Sequence, residues 1–200
     1  MTCIVGWANK SEMIMGGDSA AIADGEITIR RDPKVFSLKQ PEGPEVLIGF
    51  AGSFRMVQLL MTMKIPKDPY EGRNNFHFMI EKFIPVVQNI LKYGGHTTIT
   101  DHNEVIAGEF LVGYRGQIFR VQSDFQVEAS LDSYHSIGSG HYFALGVLDA
   151  LTLAGERDPE KLIKTALEVA QHRSASVRGP FNILKVDLNK LRRIKQKIAT

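Results

Sequence analysis

The stretch TCIVGW, residues 2–7, is an apolar run of strand-forming residues directly behind Met1. The first residues of most domains are frayed and polar, because nothing holds them on the surface. A second apolar run at 12–17 follows the turn residues 9–11, and this spacing predicts a β-hairpin at the start of the chain. Either a strand merely comes first here, or the terminus itself has a function.

The composition is that of one globular domain. The chain has 200 residues, 44% of them hydrophobic, and a formal net charge of +2, so we expect a single domain over 1–200. This charge provides no basic field for nucleic acid or an anionic membrane, and no apolar run reaches the ~18 residues of a membrane span. The lone cysteine excludes an internal disulfide framework, and the N-terminal run is no signal peptide. We therefore expect a cytoplasmic protein.

The order of predicted elements is strands, two helices, strands, two helices and a final strand. Pro85 lies inside one helical pattern and is expected to kink or split it. Segregated strands and helices favour an α+β fold, with two mainly antiparallel sheets stacked between helix layers. After the first hairpin, strands are predicted at 26–30, 34–38, 45–52, within 105–129 around a turn at 114–117, and at 181–188; a turn at 40–44; and helices from Ser53 to about Lys64, over 74–92, from Ser139 and from Asp158.

Removal of Met1 would give Thr2 a free α-amine, and methionine aminopeptidases generally trim Met before so small a residue. A threonine hydroxyl needs a base within hydrogen-bond reach to act as a nucleophile, and an amine of pKa about 7.7–8.0 supplies one. A neighbouring lysine would lower that pKa, and a carboxylate would hold the lysine in place. Asp18 at the end of the second strand and Lys34 at the start of a later strand are available for these roles.

These residues resemble the peptidase core of the proteasome β subunits and of the related bacterial ATP-dependent ring peptidase. Asp18 follows Thr2 by sixteen positions, and Lys34 follows Asp18 by sixteen more. The resemblance runs from residue 2 to about 186. Its further motifs are Gly49-Phe50-Ala51-Gly52, Ile137-Gly138-Ser139-Gly140, and Ala166-Leu167-Glu168-Val169-Ala170 followed by Ser174-Ala175-Ser176.

The resemblance implies the four-layer αββα sandwich of the N-terminal-nucleophile hydrolases and a role for each matching residue. Thr2 would be the nucleophile and its amine the base, while Lys34 tunes the amine and Asp18 orients Lys34. The backbone N–H of Gly49 would supply the oxyanion hole. Hydrogen bonds near the amine would come from Ser139 and Ser176.

The resemblance also implies an apolar substrate pocket, a protein or peptide substrate, and no cofactor or metal. We expect a preference for hydrophobic side chains before the cut, which Asp32 could tilt toward basic ones. Subunits would form a homo-oligomeric ring that encloses the active sites and receives unfolded chains from an ATPase ring. The pocket residues would be Ala21, Phe36, Leu47 and Ala51.

Three alternative functions stay open. The chain could be a non-peptidic amidohydrolase on the same fold, or a binding module in which Thr2 is incidental. It could also be an inactive scaffold subunit, because Arg173 stands where many β subunits carry an aspartate three residues before the late serine. That difference puts the support of Ser139 and of the amine in doubt.

Several residues also have plainer interpretations. Ser139 could simply cap its helix, and Cys3 could be a nucleophile only if both preceding residues were removed. The segment 95–110 has no counterpart in the family; its histidines and carboxylates could suggest a metal site, but a solvated loop is favoured because their spacing is not that of ligands. The basic tail from Lys190 could bind an acidic partner, although a solvated terminus is the simpler reading. The histidines and carboxylates in question are His96, Asp101, His102 and Glu104.

Overall fold

The computed structural model describes residues 2–39 and 43–189, which form an α+β fold of antiparallel sheets and helices. Part of the predicted turn at 40–44, the fate of Met1 and the basic tail lie outside the described residues. The strands are β1 Ile4–Ala8, β2 Glu12–Gly17, β3 Ala20–Ala23, β4 Glu26–Ile29, β5 Val35–Leu38, β6 Val46–Gly52, β7 Thr97–Thr100, β8 Asn103–Ile106, β9 Gly108–Tyr114, β10 Gln117–Val121, β11 Val127–Ala129, β12 Tyr134–Ile137 and β13 Asn182–Asp187.

The predicted N-terminal hairpin forms the centre of a four-stranded sheet in the order β12-β1-β2-β13. Ile4 pairs with Gly17 in the antiparallel register of β1 and β2. Asp18 therefore lies opposite Cys3, and its backbone N–H donates to the Cys3 carbonyl oxygen at 3.3 Å. The register of this hairpin brings Asp18 to the start of the chain.

A second, five-stranded sheet has the order β11-β10-β9-β6-β5. Val35 pairs with Gly49, so Lys34 lies just before the paired part of β5. The tight turn between β9 and β10 has Arg115 and Gly116 at positive φ, as the predicted two-residue hairpin requires. Two small hairpins, β3–β4 and β7–β8, stand outside the two sheets.

Side chains alternate between faces along each central strand, as the period of two in a strand requires. In β6, Ile48 packs in an apolar cluster with the helices that follow it, whereas Leu47 joins a cluster shared with the four-stranded sheet. In β2, Met15 lies in that shared cluster and Ile14 faces the later helices. The described residues thus form three buried apolar clusters, one of them between the sheets.

The helices are α1 Phe54–Met61, α2 Asn75–Phe78, α3 Ile84–Tyr93, α4 His141–Leu153 and α5 Pro159–Arg173. Ser53 caps α1 by accepting from the Arg55 N–H, and Asp158 caps α5 in the same way. The predicted interruption at Pro85 is a π-helical stretch, Met79–Phe83, immediately before α3. Pro85 then occupies the first turn of α3, where its missing N–H leaves no intrahelical bond unmade.

Residues 97–106, where a solvated loop around the histidines was expected, form the β7–β8 hairpin. Asp101 and His102 form its turn, with φ of 49° and 67°. Across the described ranges 2–39 and 43–189, no group of three or more His, Cys, Asp or Glu side chains is arranged to hold a metal ion. Over the same ranges, no helix has the length and apolar character needed to cross a bilayer.

Candidate active site

A buried carboxylate ties the start of the chain to the loop before β5. Asp18 is 1% exposed, and its Oδ1 accepts from the Cys3 N–H at 3.0 Å and from Lys34 Nζ at 2.9 Å. Its Oδ2 accepts from the backbone N–H groups of Ala20 at 3.1 Å and Arg178 at 3.4 Å. Four donors thus converge on one carboxylate beside Thr2, which is itself buried.

Lys34 is the positive partner of this carboxylate and is 3% exposed. Burial lowers the pKa of Lys34, because the ammonium loses its hydration, while the attraction of Asp18 acts in the opposite direction. A buried ion pair often adds little to stability, since desolvation offsets the attraction. A buried ion pair of this kind beside Thr2 is typical of a functional site.

Three serine hydroxyls form a chain that begins at Thr2. The Thr2 N–H donates to Ser139 Oγ at 3.1 Å, and Ser139 Oγ lies 2.8 Å from Ser176 Oγ. Ser176 Oγ lies 2.8 Å from Ser174 Oγ in turn. The cap of α4 is Gly140, which makes no side-chain cap bond. The interpretation of Ser139 as a helix cap is therefore wrong, and its hydroxyl faces Thr2 instead.

Ser174 lies next to Arg173, the residue that stands where many β subunits carry an aspartate. The Arg173 side chain is exposed at the end of α5 and belongs to none of the hydrogen bonds around Ser139 and Ser176. Ser176 is instead hydrogen-bonded to the hydroxyl of Ser174. The chain of serines thus ends on a neutral group and not on a carboxylate.

A cavity of about 510 Å³ opens beside Thr2, and Gly52 lies on its wall. The Phe50 N–H donates to the Lys34 carbonyl oxygen at 3.1 Å, so even-numbered N–H groups of β6 point toward β5. The N–H of Gly52 therefore points to the Lys34 side, beyond the last residue of β6 that pairs with β5. In the sequence, Gly52 is the second glycine of the Gly49-Phe50-Ala51-Gly52 motif, and that glycine is the signal that could have identified it.

Gly49, by contrast, does not face the cavity, which corrects the oxyanion-hole assignment. By the same alternation its N–H points to β9, where Gly49 pairs with Leu111. A Cβ at Gly49 would lie 2.4 Å from Ile4 and 2.8 Å from Met15, so the residue serves the close approach of the two sheets.

The four expected pocket residues are not brought together. Ala51 lines the cavity beside Thr2. Phe36 and Leu47 lie in apolar clusters on opposite faces of the five-stranded sheet, and Leu47 is fully buried. Ala21 is half-buried in the β3–β4 hairpin, where it pairs with Thr28. One pocket wall cannot contain both Phe36 and Leu47.

A second group of side chains lies near Lys34. The Arg30 guanidinium stacks 4.0 Å from the ring centre of Phe54, and Lys34 Nζ lies 5.9 Å from the same centre. Arg30 also binds Asp32 through Nε at 2.8 Å and Nη2 at 2.5 Å. Hydrogen bonding to Arg30 lowers the pKa of Asp32. Asp32 therefore stands near the site already paired with a cation.

Cys3 is fully buried among apolar residues. Burial raises the pKa of its thiol to about 12, so the thiol stays protonated at neutral pH. The alternative of Cys3 as a nucleophile is not supported by this environment.

Two residues of the cavity wall, His141 and Glu109, had no signal in the sequence that connected them to Thr2. Glu109 Oε1 accepts from the Gly138 N–H at 3.1 Å, and its Oε2 accepts from Arg120 at 2.7 and 2.9 Å. Gly138 has a φ of +86°, and a Cβ there would lie 2.4 Å from the Thr2 carbonyl oxygen. Glu109 thus fixes the turn that packs against Thr2.

The fold is similar to that of proteasome β-type proteins of known structure. Among solved structures, BPH from Thiobacillus denitrificans matches with a TM-score of 0.73 and 15% identity, over 93% of this chain and 98% of that one. HslV from Trypanosoma brucei matches with 0.64 and 15%, over 92% and 99%. Anbu, the ancestral β-subunit from Yersinia bercovieri, matches with 0.67 and 14%, over 94% and 83%.

These likenesses confirm the resemblance to proteasome β-type proteins at the level of fold. Comparisons with protein-family models and with curated proteins find no match. These three neighbours are 14–15% identical to this chain, and the likeness concerns the fold alone.

Proposed function

We propose that this chain is a threonine-type endopeptidase subunit of a self-compartmentalised ring protease. Thr2, exposed as the first residue by removal of Met1, is the nucleophile. The observation that carries the proposal is the buried Asp18–Lys34 pair, held at 2.9 Å and hydrogen-bonded to the backbone N–H next to Thr2. Such a pair at a chain terminus supplies the charge that an N-terminal nucleophile needs.

In this mechanism the Thr2 hydroxyl transfers its proton to the α-amine as Oγ forms a bond to the peptide carbonyl carbon. The positive charge of Lys34 favours a neutral amine, since like charges repel. The peptide C–N bond then breaks, the leaving nitrogen takes the proton, and an ester to Thr2 remains. Water hydrolyses that ester and restores the hydroxyl.

We assign the oxyanion hole to the Gly52 N–H. Its position on the cavity wall and its direction past the end of β5 support this assignment. Loss of one such donor typically reduces the rate by about 10²–10³-fold. The hydroxyls of Ser139 and Ser176 would orient the amine.

The wider proposal concerns the assembly. The three apolar clusters support a four-layer αββα sandwich, with α1–α3 on one sheet and α4 and α5 on the other. Exposed Tyr142 and Leu153 on α4 support contacts with further copies in a cytoplasmic ring. An ATPase ring that delivers unfolded protein substrates belongs to the same proposal.

Intact-mass spectrometry after treatment with epoxomicin, the ligand of one Thiobacillus denitrificans BPH structure, tests the proposal directly. We expect a mass without Met1 and one covalent adduct per chain. Thr2→Ala should give no adduct and no cleavage of a fluorogenic peptide, whereas Thr2→Ser should retain part of both. Retention of Met1 in the purified protein would overturn the proposal, because Thr2 would then have no free amine.

Assays on the same purified protein distinguish between the alternative functions that the sequence leaves open. Hydrolysis of small amides without cleavage of peptides or unfolded proteins would indicate a non-peptidic amidohydrolase. A chain that loses Met1 and assembles, yet reacts with neither probe, would be an inactive scaffold.

A further inference from the structure

The His141 ring has its tautomer fixed by the turn that packs on Thr2. Its Nδ1 lies 2.6 Å from the carbonyl oxygen of Gly138. A carbonyl oxygen only accepts hydrogen bonds, so Nδ1 must carry the hydrogen and donate it. In the neutral ring the other nitrogen, Nε2, is then the one with a free lone pair.

His141 and Thr2 line the same cavity, together with Ser139 and Gly52. The first residue of α4 is His141, and the preceding Gly140 N–H donates to the Thr2 carbonyl oxygen at 3.1 Å. The turn at 138–140 therefore couples the position of the imidazole to that of Thr2. The ring is half-buried, so it is held in place and still accessible from the cavity.

The chemistry of acyl transfer identifies which part of the substrate this cavity receives. The α-amine takes the hydroxyl proton and must deliver it to the leaving nitrogen, so the leaving group lies on the amine side of Thr2. The Thr2 nitrogen faces Ser139 at 3.1 Å, and Ser139 is on the cavity wall. The cavity is therefore the site of the segment after the cut. When that segment departs, water enters the space it leaves.

We propose that His141 is the general base for the water that hydrolyses the acyl-enzyme, which rests on the proposed function of Thr2. An O–H bond of water breaks and its proton moves to Nε2, while the water oxygen forms a bond to the ester carbonyl carbon. The bond from that carbon to Thr2 Oγ then breaks, and Oγ takes the proton from Nε2. Water is consumed, the acid product leaves, and both residues return to their starting states.

The charged groups that share the cavity wall are Glu109 and Arg120. They bind one another at 2.7 Å, and Glu109 also holds the Gly138 N–H. The two charges compensate one another. The contact between Glu109 and the Gly138 N–H also fixes the turn whose carbonyl orients the imidazole. Among the described side chains of the wall, His141 is therefore the titratable group that this ion pair does not hold. The α-amine of Thr2 is the competing base, and if it served both steps His141→Asn would leave the burst and the steady state unchanged.

His141→Asn tests the proposal, because the asparagine NH₂ can replace Nδ1 as donor to Gly138 while the basic nitrogen is lost. With a peptide carrying a fluorescent leaving group, we expect one rapid turnover per site followed by a steady state slowed about 10²-fold or more. The burst itself should stay within about threefold of wild type. Intact mass in the steady state should find the acyl-enzyme on Thr2. His172→Asn, an exposed histidine of α5 outside this cavity, is the matched control and should behave as wild type.

Three outcomes separate the two proposals. A burst followed by slow release, relieved by added hydroxylamine as a nucleophile that replaces water, supports the role of His141. The proposed role of His141 is overturned by a variant whose burst and steady-state rates fall together, because that pattern indicates a structural effect on both steps. It is equally overturned by a variant in which both rates are unchanged. If wild type and variant both lack any acylation of Thr2, the proposed function itself fails.

Discussion

Asp18→Asn is the substitution that best tests the physical basis of the site. The carboxylate accepts four hydrogen bonds, two on each oxygen, from Lys34 and the backbone N–H groups of Cys3, Ala20 and Arg178. Asparagine has one acceptor oxygen, so its NH₂ group must face two of these donors. The Lys34 ammonium also loses its carboxylate while it stays buried. Removal of one partner from a buried ion pair typically costs about 3–5 kcal/mol, and we expect a loss in this range at pH 7.

The loss should depend on pH in a defined direction. Burial already lowers the pKa of Lys34, and Asp18 opposes that shift. In the variant the opposing attraction is absent, so the pKa of Lys34 falls further below its value in the unfolded chain. The destabilisation from this lysine is then complete below the folded-state pKa and decreases as pH rises toward the unfolded value of about 10.4. The deficit of Asp18→Asn should therefore shrink between pH 7 and about pH 9.5.

Urea unfolding of wild type, Asp18→Asn, Lys34→Met and the double variant at both pH values measures these effects. Lys34→Met should cost less than Asp18→Asn, because the Asp18 carboxylate retains three backbone N–H donors. The double variant should regain part of the Asp18→Asn loss, since it buries no unbalanced ammonium. The reasoning would be refuted by an Asp18→Asn deficit under about 1 kcal/mol, or by one that grows as pH rises.

Two further predictions concern the turn on Thr2 and the group around Arg30. Gly138→Ala would put a Cβ 2.4 Å from the Thr2 carbonyl oxygen at a φ of +86°, so peptide cleavage should fall at least about tenfold. The control is Gly146→Ala, where a Cβ meets open space within α4. This variant should keep its activity and have a higher unfolding midpoint. An active Gly138→Ala enzyme would show that the turn does not position Thr2. Arg30→Ala frees the Asp32 carboxylate, which stays ionised at neutral pH, so a fluorogenic peptide panel should find increased cleavage after basic side chains. Arg31→Ala, an exposed neighbour, is the control, and an identical panel for all three proteins would place the group outside the substrate pocket.

The contacts of Asp18 and Lys34 beside Thr2 were largely predictable because they follow from strand register. Once 2–8 and 12–17 form a hairpin, the antiparallel pairing requires that Asp18 return to the chain start. Lys34 follows in the same way from the pairing of β5 with β6. Alternating apolar residues and turn signals determine these strands, so short sequence patterns carry the information.

The pocket and the oxyanion hole were not predictable to the same degree. Gly49 and Gly52 stand three positions apart in one strand, and only the direction of each N–H decides between them. Sequence reasoning does not supply that direction until the partners of both edges of β6 are known. The same holds for Phe36 and Leu47, which are equally apolar but lie on opposite faces of the sheet.

The cavity wall that contains His141 and Glu109 depends on tertiary contacts between residues far apart in the chain. The sequence around His141 predicts only a glycine-serine turn before a helix, and Glu109 lies in an ordinary strand. Their connection to Thr2 exists because Gly138 packs against the Thr2 carbonyl and donates its N–H to Glu109, 29 positions away. Strand register accounts for the contacts of Asp18 and Lys34, whereas the wall formed by 138–141 depends on long-range packing. The proposed role of His141 depends on that packing, because the turn at 138–140 contacts both the imidazole and the Thr2 carbonyl oxygen.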